Sequence, residues 1–244
     1  TVGTGHLYRC ILIAKFLKKK YQLKKDSIIF FCKTDKEYKN SKKILDKTGF
    51  KLKKIKYEIK DNSIKEAKIL SKEAGNLLVI DRISKTNLNF YKIIKNSFNK
   101  CLILEDQSVI RKKFNLSINS LVIPNTKKFK SDNLGFKYLL LQSFNALSNI
   151  KNIKKNIFLS FGGYDHNKIC IKVLKLLFNL KESFNFFIPN TYSLKILNLS
   201  KNHKVIKYNN NEYTKYYKKC HLALISGGLT LYDGVVFKKK LMCI

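Results

Sequence analysis

The chain has 244 residues, of which 45% are hydrophobic and 27% charged, and its formal net charge is +34. This composition is typical of a globular protein and excludes a disordered chain, and the length suffices for one large domain or two of ordinary size. The sequence has no apolar run of about 18 residues and no secretory signal pattern, so we expect no stable membrane insertion and a cytoplasmic location.

Short apolar runs typical of buried strands alternate with segments whose apolar residues recur at helical spacing. Continuous apolar strands separated by helices favour parallel sheets that are covered on both faces, and hence an α/β fold. The predicted strands are Ser27–Cys32, Asn76–Ile80, Cys101–Leu104, Leu121–Ile123, Ile157–Phe161, Phe184–Ile188, Lys204–Ile206 and Leu222–Ser226, and the predicted helices are His6–Lys19, Ser63–Ala74, Asn87–Phe98, Asn167–Leu180, Asn211–Lys219 and Leu229–Phe237.

The segment Asn145–Asn156, which is rich in Asn, Ser and Lys, predicts a linker. It divides the chain into an amino-terminal domain, 1–148, and a carboxy-terminal domain, 149–244. Thr1–Gly3 has the pattern of a strand's end and Leu241–Ile244 that of a strand's beginning. We therefore interpret the sequence as a fragment truncated at both ends, with an incomplete carboxy-terminal domain.

In an open parallel sheet, ligands bind beyond the carboxyl ends of the strands, so the residues that follow each predicted strand are candidate site residues. Gly3, Gly5, His6 and Arg9 lie where a strand passes into a helix. The glycines permit a tight turn and close approach of a ligand, and a helix N-terminus favours negative charge. His6 is a candidate general base because imidazole transfers protons near neutral pH, the alternative being a histidine that only caps the helix.

Asp81 directly follows the predicted strand Asn76–Ile80. A carboxylate in this position can orient a histidine or bind a sugar hydroxyl, and it can equally cap the next turn. The residue type alone does not choose between these roles.

Two Gly-Gly turns each connect a predicted strand to a predicted helix. Exposed backbone N–H groups in such turns can bind phosphate or sugar oxygens, and an acid inside the following helix suits ribose hydroxyls. For either turn alone, simple packing is the alternative. The candidate binding residues are Gly162, Gly163 and Asp165 in the first turn and Ser226, Gly227, Gly228, Thr230 and Asp233 in the second.

The six cysteines form no CxxC pair, and each lies in or beside an apolar run. Buried free thiols in a reducing compartment explain this distribution better than a zinc site or a disulfide framework. We therefore expect no metal and no cofactor.

The high positive charge raises the question of a nucleic-acid partner. Only three of the 50 basic residues are arginine, whereas base-reading surfaces favour the arginine fork, and the lysines are spread over every segment. Abundant Asn, Ile, Phe and Tyr, with no Trp, are what A/T-rich codons specify. We expect a solvated cationic surface that attracts anionic substrates and no nucleic-acid partner.

Four motifs occur in order along the chain: Gly3-x-Gly-His-x-x-Arg9, Val79-Ile80-Asp81, Leu159-Ser-Phe-Gly-Gly-x-Asp165 and Ala223-Leu-Ile-Ser-Gly-Gly-x-Thr230. Together they resemble the UDP-2,4-diacetamido-2,4,6-trideoxy-β-L-altropyranose hydrolases of pseudaminic acid biosynthesis, which are related in fold to the UDP-N-acetylglucosamine transferase of peptidoglycan synthesis. The resemblance covers nearly the whole chain. It implies a GT-B-like fold, with two Rossmann-like domains, parallel sheets and an interdomain cleft.

The resemblance also implies a reaction, in which water replaces UDP at the anomeric carbon of the sugar with inversion. His6 matches the family's catalytic histidine and would deprotonate the water. Backbone N–H groups of Gly227 and Gly228 would stabilise the leaving diphosphate, and Asp233 matches the acidic position that holds ribose hydroxyls. The implied partner is a UDP-sugar substrate, and the oligomeric state stays open.

Two other functions stay open at this stage. An inverting glycosyltransferase on the same fold would use a sugar or lipid hydroxyl in place of water, and an apolar, cationic face on the amino-terminal domain would favour it. A non-catalytic nucleic-acid-binding protein would show a localised basic stripe and an affinity that falls steeply with salt.

Overall fold

The structure is a computed structural model that describes residues 5–35, 38–121, 133–141, 153–162, 165, 167–192 and 202–244. The chain divides into two compact units, an amino-terminal unit of residues 6–140 and a carboxy-terminal unit of residues 141–244 together with residues 1–5. The predicted boundary at 148 and most of the predicted linker lie outside the described residues. Asn156, the last residue of the predicted linker, begins a strand.

Each unit consists of helices and parallel sheet, which confirms the predicted α/β class. In the amino-terminal unit, β1 pairs with β2, and β3, β4, β5 and β6 form a four-stranded sheet in that order. The elements of this unit are α1 (Gly5–Lys20), β1 (Ile29–Cys32), α2 (Lys39–Asp46), β2 (Lys51–Lys54), α3 (Ile64–Ser71), β3 (Gly75–Ser84), α4 (Leu88–Lys95), β4 (Phe98–Asp106), β5 (Leu116–Asn119) and β6 (Asn133–Leu134).

The carboxy-terminal unit contains a five-stranded parallel sheet in the order β11-β10-β7-β8-β9. This is a doubly wound order in which the chain starts at the central strand and builds outwards in both directions, so the switch point lies between β7 and β10. The elements are β7 (Asn156–Ser160), α5 (Ile169–Leu177), β8 (Asn185–Pro189), β9 (Lys204–Tyr208), α6 (Tyr213–Lys219), β10 (Leu222–Ile225), α7 (Leu229–Val236) and β11 (Lys240–Cys243).

Successive residues of β7 belong to two different hydrophobic clusters. Ile157 and Leu159 pack with Cys170 and Leu174 of α5, whereas Phe158 packs with Tyr217 of α6. Because side chains of a strand alternate between the two faces of a sheet, both faces are buried under helices. The continuous apolar runs in the sequence have this physical cause.

The sequence did not predict α2, β2, β5 or β6. β2 has the sequence Lys-Leu-Lys-Lys and pairs only with β1 among the described strands, so it lacks the apolar pattern of a central strand. The third partner in the four-stranded sheet is β5 at Leu116–Asn119, and the predicted strand Leu121–Ile123 lies outside the described residues after Leu121. None of the described helices has both the length and the apolarity needed to cross a bilayer.

Gly234 provides a test of the packing of α7, because a Cβ atom there would overlap the hydroxyl of Tyr217 and the side chain of Leu241. Helix propensity alone would make Gly234→Ala stabilising by about 1 kcal/mol. We expect the overlap to reverse the sign and to lower the free energy of unfolding by about 1–2 kcal/mol in urea denaturation. The exposed Val235→Ala should change it by less than about 0.5 kcal/mol, and a stabilised Gly234→Ala protein would contradict this packing.

Candidate functional site

Helix α1 carries His6 and Arg9 one turn apart, so both side chains lie on the same helical face. The side chain of His6 is 32% exposed, whereas that of Arg9 is 3% exposed. The parallel strands β3 and β4 end side by side, and Asp81 and Glu105 lie near their carboxyl ends. The amino-terminal unit therefore brings these two residues of α1 together with Asp81 and Glu105 at the carboxyl ends of β3 and β4.

His6 is held by a buried carboxylate. Its Nδ1 atom lies 2.8 Å from Oδ1 of Asp81, whose side chain is fully buried. An ionised carboxylate only accepts hydrogen bonds, so Nδ1 carries the proton and donates it to Asp81. The other ring nitrogen, Nε2, is then the atom that can accept a proton from a bound molecule. Of the three roles that the sequence left open for Asp81, this geometry is that of a histidine-orienting residue.

Arg9 lies in the interior and its guanidinium contacts two carboxylates. Nε donates to Oδ2 of Asp81 at 2.6 Å and Nη2 donates to Oδ1, while Nη1 donates to Oε1 of Glu105 at 2.8 Å. Burial alone would lower the pKa of Arg9, but the hydrogen bonds and charges of Asp81 and Glu105 outweigh it and raise the pKa. The donors of Arg9 have partners within the unit, and the substrate contact predicted for it stays a prediction.

Glu105 and Ser120 belong to this cluster and were not among the predicted site residues. Oε1 of Glu105 accepts hydrogen bonds from Oγ of Ser120 at 2.5 Å and from the backbone N–H of Ser120 at 3.1 Å. The signal that selected Asp81 was present for Glu105, because the predicted strand Cys101–Leu104 ends just before it. No pattern in the sequence indicated that Ser120 is a site residue.

Asp106 ends β4 and accepts several hydrogen bonds although it is fully buried. Its carboxylate accepts from the hydroxyl and N–H groups of Thr86 and Ser108 and from Oγ of Ser84. Burial acts to raise the pKa of Asp106, but the hydrogen bonds from Ser108, Thr86 and Ser84 outweigh it, so the pKa lies below its ordinary value. This carboxylate fixes the segments that follow β3 and β4.

A second, partly buried ion pair involves Arg82, the residue after Asp81. Nη1 of Arg82 donates to Oε1 of Glu66 at 2.7 Å, and Nη2 donates to Oδ1 of Asn62 at 2.7 Å and to Oε2 of Glu66 at 3.1 Å. Glu66 also caps the start of α3 by accepting from the N–H of Asn62 at 2.7 Å. The pair ties α3 to β3.

In the carboxy-terminal unit, the two glycine turns follow neighbouring strands at the switch point. Ser160 and Ile225 are register partners in β7 and β10, and the N–H of Ser226 donates to the carbonyl of Ser160 at 3.2 Å. Gly227 and Gly228 have φ values of 81° and 68°, which favour glycine, and a Cβ at either would meet no atom of the described residues within 4 Å. The backbone is therefore accessible at the position where doubly wound sheets bind nucleotides.

The predicted residues of the first glycine turn have structural partners. Gly162, with a φ of 84°, accepts a hydrogen bond from the hydroxyl of Tyr192 at 2.5 Å. Both carboxylate oxygens of Asp165 accept from N–H groups of α5, Ile169 at 2.7 Å and Cys170 at 2.9 Å. Asp165 thus caps α5, and a substrate contact for it stays a prediction. Gly3 and Gly163 lie outside the described residues.

The predicted residues of α7 lie next to α6. Asp233 is buried, and its Oδ2 accepts a hydrogen bond from the hydroxyl of Tyr213 at 2.8 Å. The carbonyl of Thr230 accepts from the hydroxyl of Tyr217 at 2.8 Å. Burial, followed by the charge of Asp233, raises the pKa of Tyr213 far above its ordinary value, so the phenol stays a hydrogen-bond donor. The two tyrosines fix the first turns of α7, the helix that follows the Gly227-Gly228 turn.

Among the residues that the structure describes, no three His, Cys, Asp or Glu side chains are grouped so that they could hold a metal ion. No protein-family model matches the chain, and no curated protein matches its sequence. The geometry above and the four sequence motifs are therefore the basis for a functional proposal.

The buried charge of Asp106 predicts a pH-dependent contribution to stability. Asp106→Asn should lower the free energy of unfolding by about 2–3 kcal/mol at pH 7, because donors that face the carboxylate lose their acceptor. Since the folded-state pKa is depressed, this contribution is present above about pH 4 and is lost as the pH falls through the folded value. Urea denaturation of both proteins at pH 7, 5 and 3 measures this difference in the free energy of unfolding.

The difference between Asp106→Asn and the parent protein should therefore shrink below about pH 4. Asp46→Asn, at an exposed aspartate of α2, is the matched control and should show no such difference. A difference of the same size at pH 3 and pH 7 would contradict a role for the charge.

Proposed function

We propose that the protein hydrolyses a UDP-linked 2,4-diacetamido-2,4,6-trideoxyhexose, releasing UDP by attack of water at the anomeric carbon, as in pseudaminic acid biosynthesis. The observation that carries the proposal is the hydrogen bond between Nδ1 of His6 and the buried Asp81, which directs the basicity of a partly exposed imidazole to Nε2. The choice of substrate rests on the resemblance carried by the four motifs.

In the proposed reaction, Nε2 of His6 takes a proton from water while the water oxygen forms a bond to the anomeric carbon. The bond from that carbon to the diphosphate oxygen breaks, and its electron pair leaves with UDP. Asp81 holds the ring and stabilises the imidazolium that forms, as a carboxylate does for a histidine base in other hydrolases. A base in this role contributes about 10²–10⁴-fold to the rate.

The leaving diphosphate gains negative charge, and the proposal assigns its stabilisation to the turn before α7. The N–H groups of Gly227 and Gly228 lie at the N-terminus of a helix, whose dipole favours an anion. Asp233 is assigned to the ribose hydroxyls. A GT-B-like fold with two Rossmann-like domains is part of this proposal.

An inverting glycosyltransferase is the alternative, and one observation favours it. The end of α1 exposes Phe16 and Tyr21, each 60% exposed, next to a run of three lysines, Lys18–Lys20. Such a cationic, apolar surface suits an acceptor held at a membrane. Release of free sugar and UDP in the absence of any acceptor distinguishes hydrolysis from transfer.

His6→Ala tests the base. We expect kcat for UDP release from the UDP-sugar to fall about 10²–10⁴-fold, while the Kd for UDP changes less than about threefold, because the ring contacts the attacking water and not the nucleotide. Coupled UDP detection and calorimetry measure the two quantities. His221→Gln, at a half-buried histidine of the carboxy-terminal unit, is the control and should keep full activity. A His6→Ala protein as active as its parent would exclude this mechanism.

Asp233→Ala tests the nucleotide site. Loss of a charged acceptor for ribose hydroxyls should weaken UDP binding about 10- to 100-fold in calorimetry, with near-ultraviolet circular dichroism confirming that the fold is retained. Glu182→Ala, at an exposed acid of the same unit, should leave the affinity unchanged. Equal UDP affinity in the Asp233→Ala and parent proteins would remove Asp233 from the site.

A further inference from the structure

The contact between Arg9 and Asp81 creates a difficulty for a histidine base. Arg9 donates two hydrogen bonds to the carboxylate that holds His6, so this ion pair is neutral. Nη2 of Arg9 also lies 3.3 Å from Nδ1 of His6, since both donate to the same oxygen. Protonation of His6 would therefore place a positive charge close to the guanidinium of Arg9, and the neutral Arg9–Asp81 pair would supply no net negative charge to stabilise it.

Glu105 supplies the missing negative charge. Its side chain is 3% exposed, and Oε1 accepts from Nη1 of Arg9 at 2.8 Å, on the far side of the guanidinium from Asp81. One arginine and two carboxylates carry a net charge of −1, so protonation of His6 brings the cluster to neutrality. In a buried site this charge balance affects base strength far more than it would in water.

The carboxylate of Glu105 is itself fixed by the chain that follows β5. Besides the two hydrogen bonds from Ser120, the N–H of Leu121 donates to Oε2 at 3.3 Å. Glu105 has a φ of 58°, in the left-handed region that side chains other than glycine rarely adopt. Backbone strain of this kind persists only where surrounding contacts hold it, and it clusters at functional sites.

We propose that Glu105 is a positioning residue for the proposed hydrolysis, acting through Arg9 and Asp81 to orient His6 and to offset the positive charge of Arg9. The inference rests on the proposed function and deepens it. Glu105 contacts no reacting atom in this scheme. Its effect reaches the imidazole through two consecutive ion pairs, Glu105–Arg9 and Arg9–Asp81.

The charged groups around His6 come from its own helix and from two strands. They are Asp81 of β3 and Arg9 of α1, with Glu105 of β4 behind Arg9. The thiol of Cys10 lies 4.0 Å from Oδ2 of Asp81, and burial together with the charge of Asp81 raises its pKa far above the ordinary value. Cys10 therefore stays neutral, and the charge balance of the cluster depends on the ion pairs.

Glu105→Gln keeps the size of the side chain and removes its charge. We expect kcat to fall about 10-fold with KM changed less than about threefold, and the midpoint of the acidic limb of the kcat/KM profile to move to lower pH by about half to one unit. The direction follows because loss of a negative charge disfavours the protonated imidazole. Glu105→Asp keeps the charge on a shorter arm, so it should lower kcat but leave the midpoint within about 0.3 unit.

Glu66→Gln is the matched control, because Glu66 is an equally buried glutamate that pairs with an arginine, Arg82, without contact to His6. It should lose stability as Glu105→Gln does but leave the acidic midpoint in place. An unmoved midpoint in Glu105→Gln, or an equal shift in Glu66→Gln, overturns the proposal. If Glu105→Gln does not fold, Glu105→Asp decides the positioning role, since an unchanged kcat there also overturns it.

A measurement without substrate separates this inference from the proposed function. The ring protons of His6, assigned by their loss in His6→Ala, are titrated by NMR in the parent, Glu105→Gln and Glu66→Gln proteins. A shift to lower pH in Glu105→Gln alone supports the coupling. If the same parent protein releases no UDP from UDP-sugars, the proposed function fails while the coupling of Glu105 to His6 stands. Equal titration curves in all three proteins overturn the coupling whatever the activity.

Discussion

The amino-terminal unit depends on one buried guanidinium. Arg9 of α1 bridges Asp81 of β3 and Glu105 of β4, and all three side chains are nearly inaccessible to solvent. Burying these charges is costly, so the arrangement is stable only if the geometry and the additional hydrogen bonds are good. Ser120 provides such additional hydrogen bonds to Glu105. The contacts of Arg9 therefore constrain both the rotation of α1 about its axis and the register of β3 relative to β4.

The same constraint determines what His6 can do. Arg9 donates to both oxygens of Asp81 and thereby fixes the carboxylate, and Nδ1 of His6 contacts one of those oxygens, Oδ1. The partly exposed histidine and the buried arginine are three positions apart on α1, which is about one helical turn. Function and stability in this unit thus share a single set of contacts, and a substitution at Arg9 would disturb both.

In the carboxy-terminal unit, apolar and aromatic packing positions the Gly227-Gly228 turn. Its sheet is buried on both faces, and aromatic stacking of Phe158 with Tyr217 at a centroid distance of 4.3 Å connects the central strand to α6. Tyr217 and Tyr213 in turn hold α7 through Thr230 and Asp233. The contacts that hold α7 are made after the Gly227-Gly228 turn, and among the described residues no atom lies within 4 Å of where a Cβ of either glycine would be.

The sequence by itself determined the α/β class, seven of the eight predicted strand positions and the location of candidate residues after the strands, because apolar periodicity and glycine placement are local properties. It did not determine that Asp81 orients His6, that Asp165 caps α5, or that Glu105 and Ser120 complete the Arg9 cluster. Those contacts join residues from 4 to 111 positions apart. The cap of α5 is local, whereas the order of strands in the amino-terminal sheet decided that Asp81, Glu105 and Ser120 meet near α1.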